Sequence, residues 1–257
     1  MYAPGSILAH LASAVGPEGL APASLVLPGE AAGAPGAIRW APGAEEHVRR
    51  HHVGPQPAEA DVAELLGACR ALLGGDLGYD EAADRLETAF ATHGRLEAAD
   101  SWLTALAAEP DDGDWAGLHL AVRVVADRTA SAPALKMALA LLGRFANPDD
   151  RERFRLAAHH PEFSLYASVA LASTPDPAVH RELAAILART SGWARTDVAE
   201  ALCRFAPDQA EARHALLVEG TRGMDGLDGY VALPIAEALP LESVLADPDL
   251  APNALDG

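Results

Sequence analysis

Ala140-Leu141-Leu142-Gly143-Arg144-Phe145-Ala146-Asn147-Pro148-Asp149 is matched, once a single residue is skipped, by Glu200-Ala201-Leu202-Cys203-Arg204-Phe205-Ala206-Pro207-Asp208. Both stretches read Leu-small-Arg-Phe-Ala and then a Pro/Asp turn. Leu142 and Leu202 stand sixty residues apart, which fits two structural units of about thirty residues each. Val169-Ala170-Leu171-Ala172-Ser173-Thr174-Pro175-Asp176 is a looser copy between them, and Tyr230 to Pro240 a degenerate last one. Two antiparallel helices cannot bury their apolar faces alone, so units of this size stack on their neighbours.

The pattern around the repeat is helical. Val62, Leu65, Leu66, Cys69, Leu72 and Leu73 form an amphipathic stripe, as do Ala83, Leu86 and Phe90, and Leu96, Ala99, Leu103 and Leu106. Trp115 to Ala126, Pro133 to Phe145 and Glu162 to Ser173 follow. The second of these is apolar nearly all round, the mark of a helix covered on every side. Val179, Leu183, Ile186 and Leu187, then Ala194, Val198, Ala201, Leu202 and Phe205, complete the series. Asp80, Asp149, Asp176 and Asp208 are the expected N-caps, and Pro148, Pro175 and Pro207 the expected stops. The expectation is an all-α chain of about a dozen short helices, without a strand after residue 56.

Short helices, small residues at the packing positions and Pro/Asp turns resemble HEAT and armadillo repeats, over roughly residues 57 to 245 and best from 133 to 240. Ser191-Gly192-Trp193-Ala194-Arg195, with His214-Ala215-Leu216-Leu217-Val218-Glu219-Gly220 downstream, is similar to the terminal repeats of bacterial HEAT-like proteins without assigned activity. The resemblance implies a right-handed α-solenoid of stacked antiparallel helix pairs for residues 57–257, and no chemistry. Residues 1–56 read as an irregular cap packed on that solenoid. There, Ser24 to Leu27 and Ala37 to Trp40 flank a Gly/Pro-rich loop, with a short hairpin as the alternative, and Glu45 to His52 form a short helix.

Charge excludes more than it identifies. Nineteen basic residues, of which Lys136 is the only lysine, face thirty-seven acidic ones, a formal charge of −18. Such a chain is repelled by phosphate backbones and anionic membranes. No run is long and apolar enough for a membrane helix, and the apolar stretch Ser6 to Val15 lacks the basic start of a secretory signal. Cys69 and Cys203 are too few for a disulfide framework and read as buried thiols. A cytoplasmic bacterial protein is expected.

The candidate binding residues are Trp193, Arg195, Asp197 and Trp40. Arg195 and Asp197 are expected on the polar side of one helix, with Glu200 and Arg204 paired across a turn. His47 and His51, one turn apart, are weak metal candidates. Val48 and Arg50 stand where either zinc-protease pattern needs glutamate, so an exposed polar helix end is the plainer reading. His159-His160 is expected to cap a helix C-terminus, and Asp111-Asp112-Gly113-Asp114 to cap the helix beginning at Trp115. No nucleophile elbow, Walker loop or dinucleotide fingerprint is present, and no catalytic residue, metal or cofactor is expected. The functional expectation is a non-enzymatic helical-repeat module binding a protein or peptide, in one form an acidic inhibitor or immunity-type protein for a basic partner. The alternative is an enzyme or small-molecule binder with a pocket between cap and solenoid.

Overall fold

The computed structural model describes residues 2–15, 25–28, 40–53, 58–75, 77–222, 226–239 and 246. Among them the regular structure is entirely helical. The helices are α1 (Ile7–Ala14), α2 (Ala44–Val48), α3 (Glu59–Leu73), α4 (Tyr79–His93), α5 (Leu96–Leu106), α6 (Trp115–Arg128), α7 (Ala132–Phe145), α8 (Arg151–Ala158), α9 (Ser164–Ala172), α10 (Val179–Leu187), α11 (Gly192–Cys203), α12 (Ala210–Glu219) and α13 (Asp228–Ala238). α2 continues as a wider π-type turn over Arg49–Val53, and a single 3-10 turn, Pro148–Asp150, leads into α8. The expected hairpin falls largely on residues outside those described. No helix is long and apolar enough to cross a membrane among the described residues.

Local chemistry sets the helix ends. Ser6 Oγ accepts from Ala9 N–H, Asp114 Oδ1 from Gly117 N–H and Ser131 Oγ from Ala134 N–H, each satisfying a backbone donor that the first turn leaves unpaired. α7 closes on Ala146, whose φ of 51° is left-handed, and Pro148 prevents continuation. None of the four aspartates expected as caps is the N-cap residue itself. Asp176 Oδ1 accepts from Ala178 N–H at 2.7 Å in the turn before α10, whose N-cap is Ala178. Asp80 lies within the first turn of α4, Asp149 sits in the 3-10 turn that Asn147 caps, and Asp208 precedes Gln209, which holds the cap of α12. A first-turn carboxylate such as Asp80 still opposes the positive helix end, although it is not the cap.

Packing follows an alternating order. α3, α5, α7, α9, α11 and α13 each touch the next in that series; α4 packs on α6, α8 on α10 and α10 on α12, and the two series meet through pairs such as α6 with α7 and α8 with α9. α1 packs against α6 and α8, in the middle of the chain. Its apolar side explains this: Ile7, Leu8 and Leu11 are wholly buried, each contributing roughly 1.5–3 kcal/mol. Ala3 N–H and Ile7 N–H donate to the carbonyls of Asp127 and Thr129 and fix the segment to the end of α6.

Candidate functional site

Residues 43–52 form a strap that crosses several helices. Gly43 begins it at φ 76°, and a side chain there would meet the carbonyl oxygen of Pro161 at 2.3 Å, so both conformation and space demand glycine. Its N–H donates to Glu162 Oε2 at 3.0 Å. Lys136, buried in α7, pairs with Glu46 of the strap and with Glu162. Burial disfavours its ammonium, but the two carboxylates outweigh burial and hold the group above its ordinary pKa. A lone lysine in an otherwise apolar helix was the sequence signal for this anchor.

His47 overturns the expected exposed helix end. It is 1% exposed, with Nε2 2.9 Å from Asp197 Oδ1, at ion-pair distance but out of hydrogen-bond alignment. Its ring stacks on Trp193 at 4.1 Å and 14°, and more distantly on His51. His51 and His52 remain exposed, as expected; both rings lie against Tyr230, and His52 Nε2 is 2.7 Å from the Tyr230 hydroxyl. Trp193 also meets Tyr230 at 5.1 Å. Among the described residues no group of three or more His, Cys, Asp or Glu is placed to hold a metal ion, and His47 and His51 stack instead of converging.

Ser164 Oγ donates to Asp197 Oδ2, so the order is Ser164, Asp197, His47. Activation of a serine hydroxyl requires the imidazole next to the hydroxyl. Here the carboxylate lies between them, and the set works as a buried tie joining α2, α9 and α11.

Beside the strap lies an open groove of about 1180 Å³, lined from α5, α7, α9 and α11 by alanines including Ala99, Ala140 and Ala201. Four arginines line it (Arg49, Arg50, Arg144 and Arg204), as do four acidic residues (Glu97, Asp100, Asp197 and Glu200). Among the described residues, therefore, the acidic excess lies outside the groove. Arg49 pairs with Glu45 and Glu97, and Arg50 with Glu200 at 2.8 Å. The expected Glu200–Arg204 pair does not form, because the strap supplies Glu200 with a different arginine. Tyr166, from α9, adds a phenol to the lining; burial first, and then Glu46, Glu162, Glu97 and Asp100, hold its pKa well above 10, so it stays a neutral hydroxyl.

Of the four residues singled out from sequence, only Asp197 lines the groove. Arg195 is buried, donating from Nε to Thr190 O at 2.8 Å and from Nη1 to the carbonyls of Glu219 and Arg222. Burial lowers its pKa, with Glu219 opposing. It fastens α11 to α12, because α11 is packed by α9, α10, α12 and α13 and has no polar side there. Trp193 is half-buried between His47 and Tyr230, and Trp40 is 45% exposed and away from the groove lining. His159 does cap α8, but burial, then Arg155 and Arg189, push it down to about 4. It is a neutral cap, and the positive charge in the last turn of α8 is that of Arg155. Asp114 caps α6 as expected. Cys69 is buried and Cys203 half-buried; burial, with Glu109 and Glu200 respectively adding to it, pushes both thiols up to about 12, far from a reactive thiolate.

Comparison with known proteins returns no matching family model, no matching curated protein and no matching solved structure.

Proposed function

We propose that the chain is a helical-repeat module that holds a segment of a protein partner in the groove. The carrying observation is the groove itself, whose lining draws on five helices (α5, α7, α9, α11 and α13) and the strap while its carboxylates Glu97, Asp197 and Glu200 are already committed to internal pairs. A right-handed, HEAT-type α-solenoid is the arrangement we infer. It is supported by the alternating contact order and by the repeat, since Arg144, Ser173 and Arg204 hold corresponding positions and all line the same groove. On this reading the groove is the inner surface of the stack. Two unpaired, unreactive thiols accord with a reducing, cytoplasmic setting.

A basic partner of the inhibited-toxin kind would find no acidic excess in the groove and would have to dock on the outer face, where the surplus carboxylates lie. The small-molecule reading draws on the groove's position beside Arg49 and Arg50 of the strap. However, the open volume exceeds the roughly 300–1,000 Å³ of usual small-ligand pockets and suits an extended chain better.

The test places a photo-reactive amino acid at Ser173, in the groove, or at Thr88, exposed on α4 away from it. In native host cells one discrete protein should cross-link from Ser173 and not from Thr88, and Ala140→Trp, which fills the groove, should suppress the product. Equal yields from both positions, or none from Ser173, would refute the proposal.

A further inference from the structure

Resting on that reading of the groove, we infer that its occupant is an acidic peptide segment, whose carboxylates are held by Arg144 and Arg204. This reverses the preference that net charge suggests, and the reason is which charges remain uncommitted. Glu97 and Glu200 are tied to Arg49 and Arg50, and Asp197 is buried against His47 and Ser164. Arg144 and Arg204 are exposed and make no ion pair among the described residues, whereas Asp100 is the single lining carboxylate without one. The lining's free groups are thus two guanidiniums against one carboxylate, inside a chain of charge −18.

Both arginines sit at the C-terminal ends of their helices, Arg144 in the last turn of α7 and Arg204 at the C-cap of α11, where a positive charge answers the helix dipole. The dipole accounts for the charge at that end of a helix. It does not account for both side chains facing one groove; Arg85, Arg181 and Arg189 are likewise exposed, but none of them lines it. Ser173, in the corresponding position between them at the end of α9, is not part of that pair, because its hydroxyl donates to the Val169 carbonyl at 2.9 Å.

The geometry also sets a spacing. α7 packs on α9 and α9 on α11, and packed helix axes lie about 8–10 Å apart, so Arg144 and Arg204 are separated by roughly 16–20 Å. An extended chain rises about 3.3 Å per residue, which puts the two carboxylates of the ligand about five or six residues apart. A guanidinium paired with a carboxylate in its planar fork gives such contacts direction as well as strength. Nucleic acid is the less suited anion, because two free arginines cannot offset repulsion between a phosphate backbone and the remaining acidic surface.

The experiment is a display selection of random twelve-residue peptides on the full chain, repeated on Arg144→Ala/Arg204→Ala and on Arg144→Glu/Arg204→Glu, with anisotropy of a labelled twelve-nucleotide oligo-dT in parallel. Selected peptides should carry two Asp or Glu five or six residues apart and bind the alanine variant at least tenfold more weakly. The glutamate variant should select basic peptides instead. Exposure and lack of partners keep the alanine variant close to the parent in Tm; the glutamate variant, with negative charge at two helix C-terminal ends, should melt somewhat lower yet stay folded, and Arg144→Gln/Arg204→Gln serves in place of either that does not fold. Peptides selected without acidic residues, or bound equally by the alanine variant, would overturn the inference and leave the binding module standing. Failure to select any peptide would overturn both. Arginine-dependent binding of oligo-dT tighter than that of the selected peptides would also overturn the inference, in favour of a nucleic-acid ligand.

Discussion

Gly143→Ala tests the packing that builds the groove. A methyl group at residue 143 would lie 2.6 Å from Ala170 Cβ and 2.8 Å from Ala170 Cα, and the second of these is backbone that cannot rotate away. Carbon atoms in comfortable contact are about 3.5–4.0 Å apart, so α7 and α9 would have to part locally by about 1 Å. Two effects compete. Replacing glycine by alanine within a helix stabilises it by about 1 kcal/mol, and overpacking of this kind costs about 1–3 kcal/mol. Contacts as short as these place the cost at the upper end, about 2–3 kcal/mol, so the structure predicts a net loss of about 1–2 kcal/mol, read as a drop of about 2–8 °C in Tm for a chain of this size. Adding Ala170→Gly removes the Cβ contact but leaves the 2.8 Å approach to the Cα, so it should relieve only part of the clash, with a coupling of about 0.5–1 kcal/mol between the two positions in a double-mutant cycle of urea melts. Gly67, within α3, is the control: an added side chain meets nothing within 4 Å, so Gly67→Ala should stabilise by roughly 0.5–1 kcal/mol. If Gly143→Ala proves as stable as the parent, or more so, then α7 and α9 do not approach as described and the reasoning fails.

Two further outcomes follow from the buried polar groups. Asp197→Ala should cost about 2–4 kcal/mol in urea unfolding, because it strands the buried His47 and leaves the Ser164 hydroxyl only the Pro161 carbonyl, and trypsin should then cut faster after Arg49 and Arg50 as the strap detaches; an unchanged cutting rate would contradict the tie. His159 titrates at about 4 when folded and near 6.5 when unfolded, so the unfolded chain takes up its proton first and stability falls as pH drops from 6.5 towards 4, by roughly 2–3 kcal/mol in all. Over that window His159→Gln should flatten the dependence of stability on pH by as much as about 1.4 kcal/mol per unit, and an unchanged slope would rule out a buried neutral histidine.

The helices were legible because each has a local cause. The stripes Leu65, Leu66, Cys69, Leu72 and Ala83, Leu86, Phe90 are buried in α3 and α4 as their spacing requires. The nearly all-apolar Pro133 to Phe145 became α7, buried on most sides by α4, α6 and α9. Arg144 and Arg204 hold corresponding positions in the sequence repeat and both line the groove, although reading the repeat as a packing signature left their chemistry unseen.

The site was less legible, because its partners lie far apart in the chain. Asp197 is 150 residues from His47, as Glu200 is from Arg50, and Lys136 is 90 from Glu46. No periodicity links residues at such distances. Arg195 looked like a surface residue because sequence places it on a helix without saying how many helices cover that helix. Sequence alone determined an acidic, all-helical chain with a repeating Leu-small-Arg-Phe-Ala turn, since composition, helical period and capping are properties of neighbouring residues. Only the tertiary structure decided which charges neutralise one another. That choice leaves two free arginines in the groove of an acidic protein, because net charge is a sum over the whole chain while recognition depends on the groups that folding leaves unpaired.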